Sequence, residues 1–329
     1  MLAKIAQTFA NCFKIPELKS RIIFTLLLLG ICRLIAMIPI PGLDGAALAQ
    51  FFEENAAKEG GGGLLGMYSM FTGGALERCA VGGLGIMPYI SAVIIIQLLS
   101  AVVPRLSKLA REEGGRAKIV QYGRYLTVLL CLGQGFVMAM GWERAGDIFP
   151  GFDAKLVLYD ASWLWWYRLQ TVVILTTGTL LLMWLGEQIT ERGIGNGVSL
   201  VICIGILARL PQAVQGLNDM FNPSGGMDSN FNFFHAIAMM LLLVGVVAGI
   251  VAVTQAQRKV AVQYAQRAVG RKIVSGGTSF LPLRVNYAGV MPIIFAQAIL
   301  MFPQKILSYL GGLLEAPFLN RLAGQLDYG

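Results

Sequence analysis

The side chains in this 329-residue chain best suited to nucleophilic or metal chemistry are His235 and five cysteines, Cys12, Cys32, Cys79, Cys131 and Cys203. Their placement gives them little to work with. No two cysteines form a CxxC pair, none stands at ligand spacing from the histidine, and His235 opens an apolar helix. The sequence contains no GxxxxGK[ST] phosphate loop, no GxSxG elbow and no HExxH pair. "GIGNG" at 193–197 follows an apolar run rather than a strand, so it reads as a glycine-assisted helix entry and not as a nucleotide loop. The expectation is a protein that is not an enzyme and needs no cofactor.

A second kind of chemistry needs only apolar side chains in the right places. In "GGALERCAVGGLGIMPYISAVIIIQLLS", residues 73–100, Ile86, Ile90 and Ile94 stand four apart. On a helix four residues advance about 40° net, so Ile86 and Ile90 share a face at successive levels, with Gln97 about 20° from Ile86. Lipid contact asks for neither branched isoleucines in register nor an amide. This face is either bundle core or the lining of a passage.

The elements that must position these residues are membrane helices. Hydrophobic residues make up 56% of the chain and charged residues 13%, against about 25% charged in a soluble domain. Seven apolar runs approach the roughly 20 residues a span requires: 22–40, 80–103, 119–141, 165–186, 196–215, 232–254 and 285–308. Basic residues gather before the first run, after the second (Arg105, Lys108, Arg111, Arg116, Lys118) and after the sixth (Arg258, Lys259, Arg267, Arg271, Lys272, Arg284). Short basic loops stay in the cytoplasm, which puts the N-terminus inside. Arg33, within the first run, either faces a cavity or reaches back to the outer interface.

Two segments are not plain loops. In 60–76 an apolar piece, Leu64 to Phe71, lies between glycine clusters; eight helical residues rise only about 12 Å, so it is a re-entrant half-helix or an interfacial loop. In 255–284 the alternation around Val260 and Val262, with Gly270 and "RKIV" beyond, suggests a two-stranded projection.

The motifs "IPIPGLD", "MFTGGALERC", "LGIMPYISAVIIIQLL", "LMWLGEQITERGIGNGVSL" and "LPLRVNYAGVMPIIF", in this order, resemble the SecY family of protein-conducting channels across nearly the whole chain. The resemblance implies an all-α membrane protein, a polytopic helical bundle built as an inverted repeat with a short re-entrant plug helix. It implies ten spans where seven are read here, with an N-terminal half at 1–215 and part of a C-terminal half at 216–329. It further implies a pore ring of Ile86, Ile90, Val198, Ile202 and Ile294, and a plug that includes Leu64, Leu65, Met67, Tyr68, Met70, Phe71, Gly73 and Gly74. Gln97 and Asn286 become lateral-gate residues, and Arg267, Arg271 and Lys272 a docking loop for the ribosome or SecA, with Gln266 where a basic residue is often found.

The partners implied are SecE and SecG, SecA, the ribosome, signal peptides, nascent chains and membrane lipids, in the bacterial cytoplasmic membrane. Ile94 and Ile204 are expected to lie off the ring. The competing class is a secondary transporter of small solutes, which calls for convergent polar groups at the midplane, where this sequence offers isoleucine and glycine.

Overall fold

Proline and glycine set most of the helix boundaries. The computed structural model describes residues 14–58, 69, 72–112, 114–145, 152, 155–159, 163–221, 233–263, 267–269, 272–274, 278–286 and 318. Among them are the helices α1 (Pro16–Ile35), α2 (Gly45–Lys58), α3 (Met87–Val102), α4 (Pro104–Arg111), α5 (Gly115–Glu143), α6 (Leu164–Arg192), α7 (Gly197–Leu207), α8 (Leu210–Phe221) and α9 (Phe233–Gln255). Strands β1 (Gln257–Gln263), β2 (Arg267–Val269), β3 (Lys272–Val274) and β4 (Thr278–Arg284) follow. The chain divides into two compact units, one of residues 1–214 with 298–329 and one of residues 215–297.

In the first unit α6 is the central helix, packed against α1, α3, α5 and α7. Its contact with α5 rests on small side chains. Gly123, Thr127, Cys131, Gly135 and Ala139 recur every four residues and are all buried. Tyr167, Thr171, Leu175 and Thr179 recur likewise on α6. Small residues let two backbones approach, and packing and polar contacts then hold helices that lipid cannot drive together. A Cβ on Gly135 would sit 3.6 Å from Val172 Cα. Two bidentate pairs clamp this antiparallel helix pair near its ends: Arg168 with Glu143, both bonds 2.7 Å, and Arg124 with Glu187, at 3.1 and 2.7 Å. Exposed Trp163, Trp165 and Trp166 lie at the start of α6, the kind of aromatic cluster that favours a bilayer interface.

Pro39 and Pro41 lie just beyond α1, where neither allows the helix to continue. The extended chain there pairs with two others. Ile40 N–H donates to Cys79 O and Val81 N–H to Ile38 O, both at 2.9 Å, while Asp44 N–H donates to Leu156 O at 2.9 Å. Beneath this cap lies an apolar cluster that includes Ile40, Leu48, Leu76, Trp142, Tyr167 and Leu175.

The expected span at 80–103 is a helix only from Met87. Residues 73–79 and 81–86 are turns, because Gly73, Gly74 and Gly85 take φ of +66°, +84° and +60°, a region that favours glycine. At the far end, Val103 is extended ahead of Pro104, as the proline ring requires, and the chain bends by 100° into α4. On α4, Arg105, Lys108 and Arg111 are exposed while Leu106 and Leu109 are partly covered. The expected 196–215 span is a helical segment at 197–216, with a turn at Ala208–Arg209 between α7 and α8. "GIGNG" is a helix entry as expected: Gly195 has φ +75° and the Asn196 side chain accepts from Ser199 N–H at 3.3 Å.

Among the described residues four helical segments are long and apolar enough to cross a membrane, 115–143, 164–192, 197–216 and 234–255, and the bent α3–α4 pair makes a fifth if it counts as one. The expected span at 285–308 lies almost wholly outside the described residues.

The second unit holds α9 and the strands. β1 pairs antiparallel with β4 from Gln257↔Arg284 to Gln263↔Thr278, and β2 pairs with β3 from Arg267↔Val274 to Val269↔Lys272. The projection expected at 255–284 is therefore two ladders, one nested in sequence inside the other.

Candidate functional site

Four of the five expected ring residues are described, and two of them lie against the same glycine. Gly186 on α6 has no side chain, so a Cβ there would sit 3.6 Å from both Ile86 Cδ1 and Val198 Cγ2. Ile86, at the start of α3, and Val198, in the first turn of α7, thus both lie against the bare backbone of Gly186. Gly197 reaches the same place from the other side, so close to the Gly186 carbonyl that any Cβ would strike it. Ile86 and Ile90 are buried, at 4% exposure each; Val198 and Ile202 are partly covered. Ile294 lies outside the described residues. Ile86 is the residue before α3 rather than a member of it.

Behind Ile86 is a cavity of about 30 Å³, lined in part by Cys32, Arg33, Thr72, Ile86, Ile204 and Gly205. It has room for about one water. Ile204, expected off the ring, forms part of this wall, because α7 turns Val201 and Gly205 inward and Ile204 lies beside them.

Of the expected plug residues, Gly73 and Gly74 are described; Leu64, Leu65, Met67, Tyr68, Met70 and Phe71 lie outside the described residues. The chain at Gly73–Leu76 forms turns, not helix. It is held closely. Arg33 Nη1 donates to Gly73 O at 3.2 Å, and a Cβ on Gly73 would strike that guanidinium and lie 2.9 Å from Gly205 Cα. Arg33 therefore faces the interior, one of the two positions open to it from sequence.

Gln97 is exposed on α3, and its carbonyl accepts from Ser100 Oγ at 2.7 Å. Asn286 belongs to the second unit and is partly covered. Arg267 opens β2 and Lys272 opens β3; in their register, positions 267, 269, 272 and 274 share one face of the ladder. Arg271 lies outside the described residues.

The sequence profile of the SecY family matches residues 80–326. This chain belongs to the SecY family. It is 38% identical to the protein translocase subunit SecY of Chlamydia trachomatis, over 98% of this chain and 70% of the relative. It is 41% identical to the SecY of Escherichia coli K12, over 90% of this chain and 63% of the relative. The fold resembles a solved protein-conducting channel with TM-score 0.56 at 18% identity, covering 91% of this chain and 62% of that one. It also resembles Sec61 from the canine ribosome–channel complex of the endoplasmic reticulum, with TM-score 0.55 at 17% identity and the same coverages. The SecY-family chain thus spans about two thirds of the length of these relatives. It is a multi-pass membrane protein of a channel-forming fold.

Reading the sequence of this SecY-family chain missed one polar cluster. Arg209, in the turn after α7, lies 2.6 Å from Glu77 Oε2 and donates to Ser69 Oγ at 2.5 Å; Ser69 in turn donates to Glu77 Oε1 at 2.7 Å. The available signal was Arg209 itself, a charge within an otherwise apolar run, since such residues face the protein interior or a partner. Nothing in the sequence pointed from it to Glu77, 132 residues away.

Proposed function

We propose that this chain lines a protein-conducting channel in the bacterial cytoplasmic membrane, passing unfolded secretory polypeptides across and releasing transmembrane segments sideways into the bilayer. The observation that carries the proposal is that Ile86 and Val198 both lie against Gly186, while Ile86 shares a cavity wall with Thr72, Gly205 and the Arg33 that holds Gly73 O. Branched apolar side chains exclude water and so block ions. Their contacts are non-directional, so they fit any polypeptide without reading its sequence.

On this reading Ile86, Ile90, Val198, Ile202 and Ile294 form the ring, residues 64–76 the plug, and Gln97 and Asn286 polar contacts of the lateral gate. The N-terminal half of the family's inverted repeat corresponds to 1–215 and part of the C-terminal half to 216–329. SecE and SecG are the companion subunits, and SecA or the ribosome supplies the drive that a chain without a phosphate loop lacks. A photoreactive residue placed at Gln97 should crosslink to a signal sequence arrested in transit, and one at exposed Leu129 on α5 should not. Crosslinks from Leu129 with none from Gln97 would rule the reading out.

On this reading the segment 255–284, with Arg258, Lys259 and Arg284 exposed and Arg267 and Lys272 opening β2 and β3, lies on the cytoplasmic side with the N-terminus. If it meets ribosomal RNA, salt weakens binding by restoring counterions to phosphate. Charge reversal at Arg267 and Lys272 should lower both affinity and the slope of log affinity on log salt, by about 0.7 or more per residue. Trypsin should cut this segment only from the cytoplasmic face. Weaker binding at an unchanged slope, or cleavage from outside, would contradict the assignment.

A further inference from the structure

The Ser69–Glu77–Arg209 cluster joins two parts of the chain that the proposed opening must separate. Ser69 and Glu77 flank the glycine turn at the C-terminal end of the proposed plug; Arg209 belongs to the wall, at the end of α7. The three side chains close a ring of contacts in which the Ser69 hydroxyl accepts from Arg209 and donates to Glu77. Ser69 is fully buried, and the Arg209 and Glu77 side chains are 22% and 15% exposed. Ser69 O is also used, accepting from Gly74 N–H at 3.0 Å and Thr72 Oγ1 at 3.1 Å. A Cβ on Gly74 would sit 3.2 Å from Arg209 Nη2, so the guanidinium lies directly on the turn.

We propose that Arg209 is a positioning residue that latches the plug stem to the wall of the resting channel through Glu77 and Ser69. The inference rests on reading 64–76 as the plug. Its physics differs from that of an apolar seat. A partly buried, hydrogen-bonded ion pair fixes one geometry, because the guanidinium has only one place to put its donors. Its net stabilisation is nevertheless modest, since both charges regain water when they part. The latch is thus exact in position and easy to release, which suits a segment that must leave and return with every substrate. Arg33, whose Nη1 holds Gly73 O, supplies a second tether.

The test is ion conductance of the idle, assembled translocase in planar bilayers. Arg209→Ala and Glu77→Gln should each raise it about tenfold, the effect of losing roughly 1.4 kcal/mol from the closed state. Ser69→Ala, the mildest change, should raise it less. Glu77→Arg alone puts two guanidiniums together and should leak; combined with Arg209→Glu it should return to near the parent level. A merely structural role for Arg209 would not produce that rescue. Deleting 64–76 serves as the reference. If the deletion leaks while Arg209→Ala and Glu77→Gln do not, or if the double swap is no tighter than its parts, the latch is wrong and the plug stands. If the deletion does not leak, the plug reading falls and the latch with it.

Discussion

Translocase carrying serine at both Ile90 and Ile202 should conduct ions at rest about tenfold or more above the parent, because a seal that works by repelling water fails when its lining becomes polar or small. Glycine should act in the same direction. Leucine or methionine should be tolerated, since each restores apolar bulk and the seal asks for no unique fit. The control must be a position on α7 that faces away from the packed interior. Ile206, 41% exposed, meets that condition; Ile204 does not, because it forms part of the cavity wall behind Ile86. The measurement is conductance across planar bilayers. Serine variants that fold, assemble and conduct no more than the parent would make these residues core packing and remove the pore assignment.

The second large effect concerns folding rather than conduction. Gly178 lies where α6 crosses the turn-rich segment, and a Cβ there would fall on the Val81 carbonyl oxygen. Backbone cannot swing aside as a side-chain tip can. Gly178→Ala should cost about 3 kcal/mol, at the upper end of overpacking penalties, and Gly178→Val should prevent assembly of α6 with its neighbours. Gly133 on α5 provides the contrast, since nothing lies within 4 Å of its would-be Cβ. Gly133→Ala should be neutral or stabilise by about 0.5–1 kcal/mol through helix propensity. Thermal unfolding in detergent reads both. Equal melting of the two alanine variants would contradict the packing at Gly178.

The long helices were legible because a continuous apolar run has one interpretation in a membrane. The expected 119–141 and 232–254 became 115–143 and 233–255. The helix start near residue 80 was misread for a physical reason. Hydropathy treats "AVGGLGI" as lipid-compatible, but it does not register that Gly85 takes a positive φ or that Val81 bonds back to Ile38. In the candidate site, Ile86 and Ile90 could be placed on one face from their spacing. That Ile86 and Val198 both lie against Gly186 could not, because a glycine acts by what it lacks. The Glu77–Arg209 pair was invisible for a different reason: only the fold brings the end of α7 back over the turn after residue 72.

One dimension of α3 bears on the lipids around it. Sixteen helical residues rise about 24 Å, several ångströms less than an average hydrocarbon core of about 30 Å. The elbow at Pro104 forbids extension at one end and the glycine turns forbid it at the other. Leu98, Leu99 and Val102 are exposed along it. Wherever this short helix faces acyl chains, the mismatch is met by local thinning of the bilayer. Thinned bilayer beside α3 leaves less hydrocarbon for a polar flank to cross. A nascent apolar segment leaving along this helix would therefore meet the weakest part of the membrane, and thicker lipids would make that exit harder.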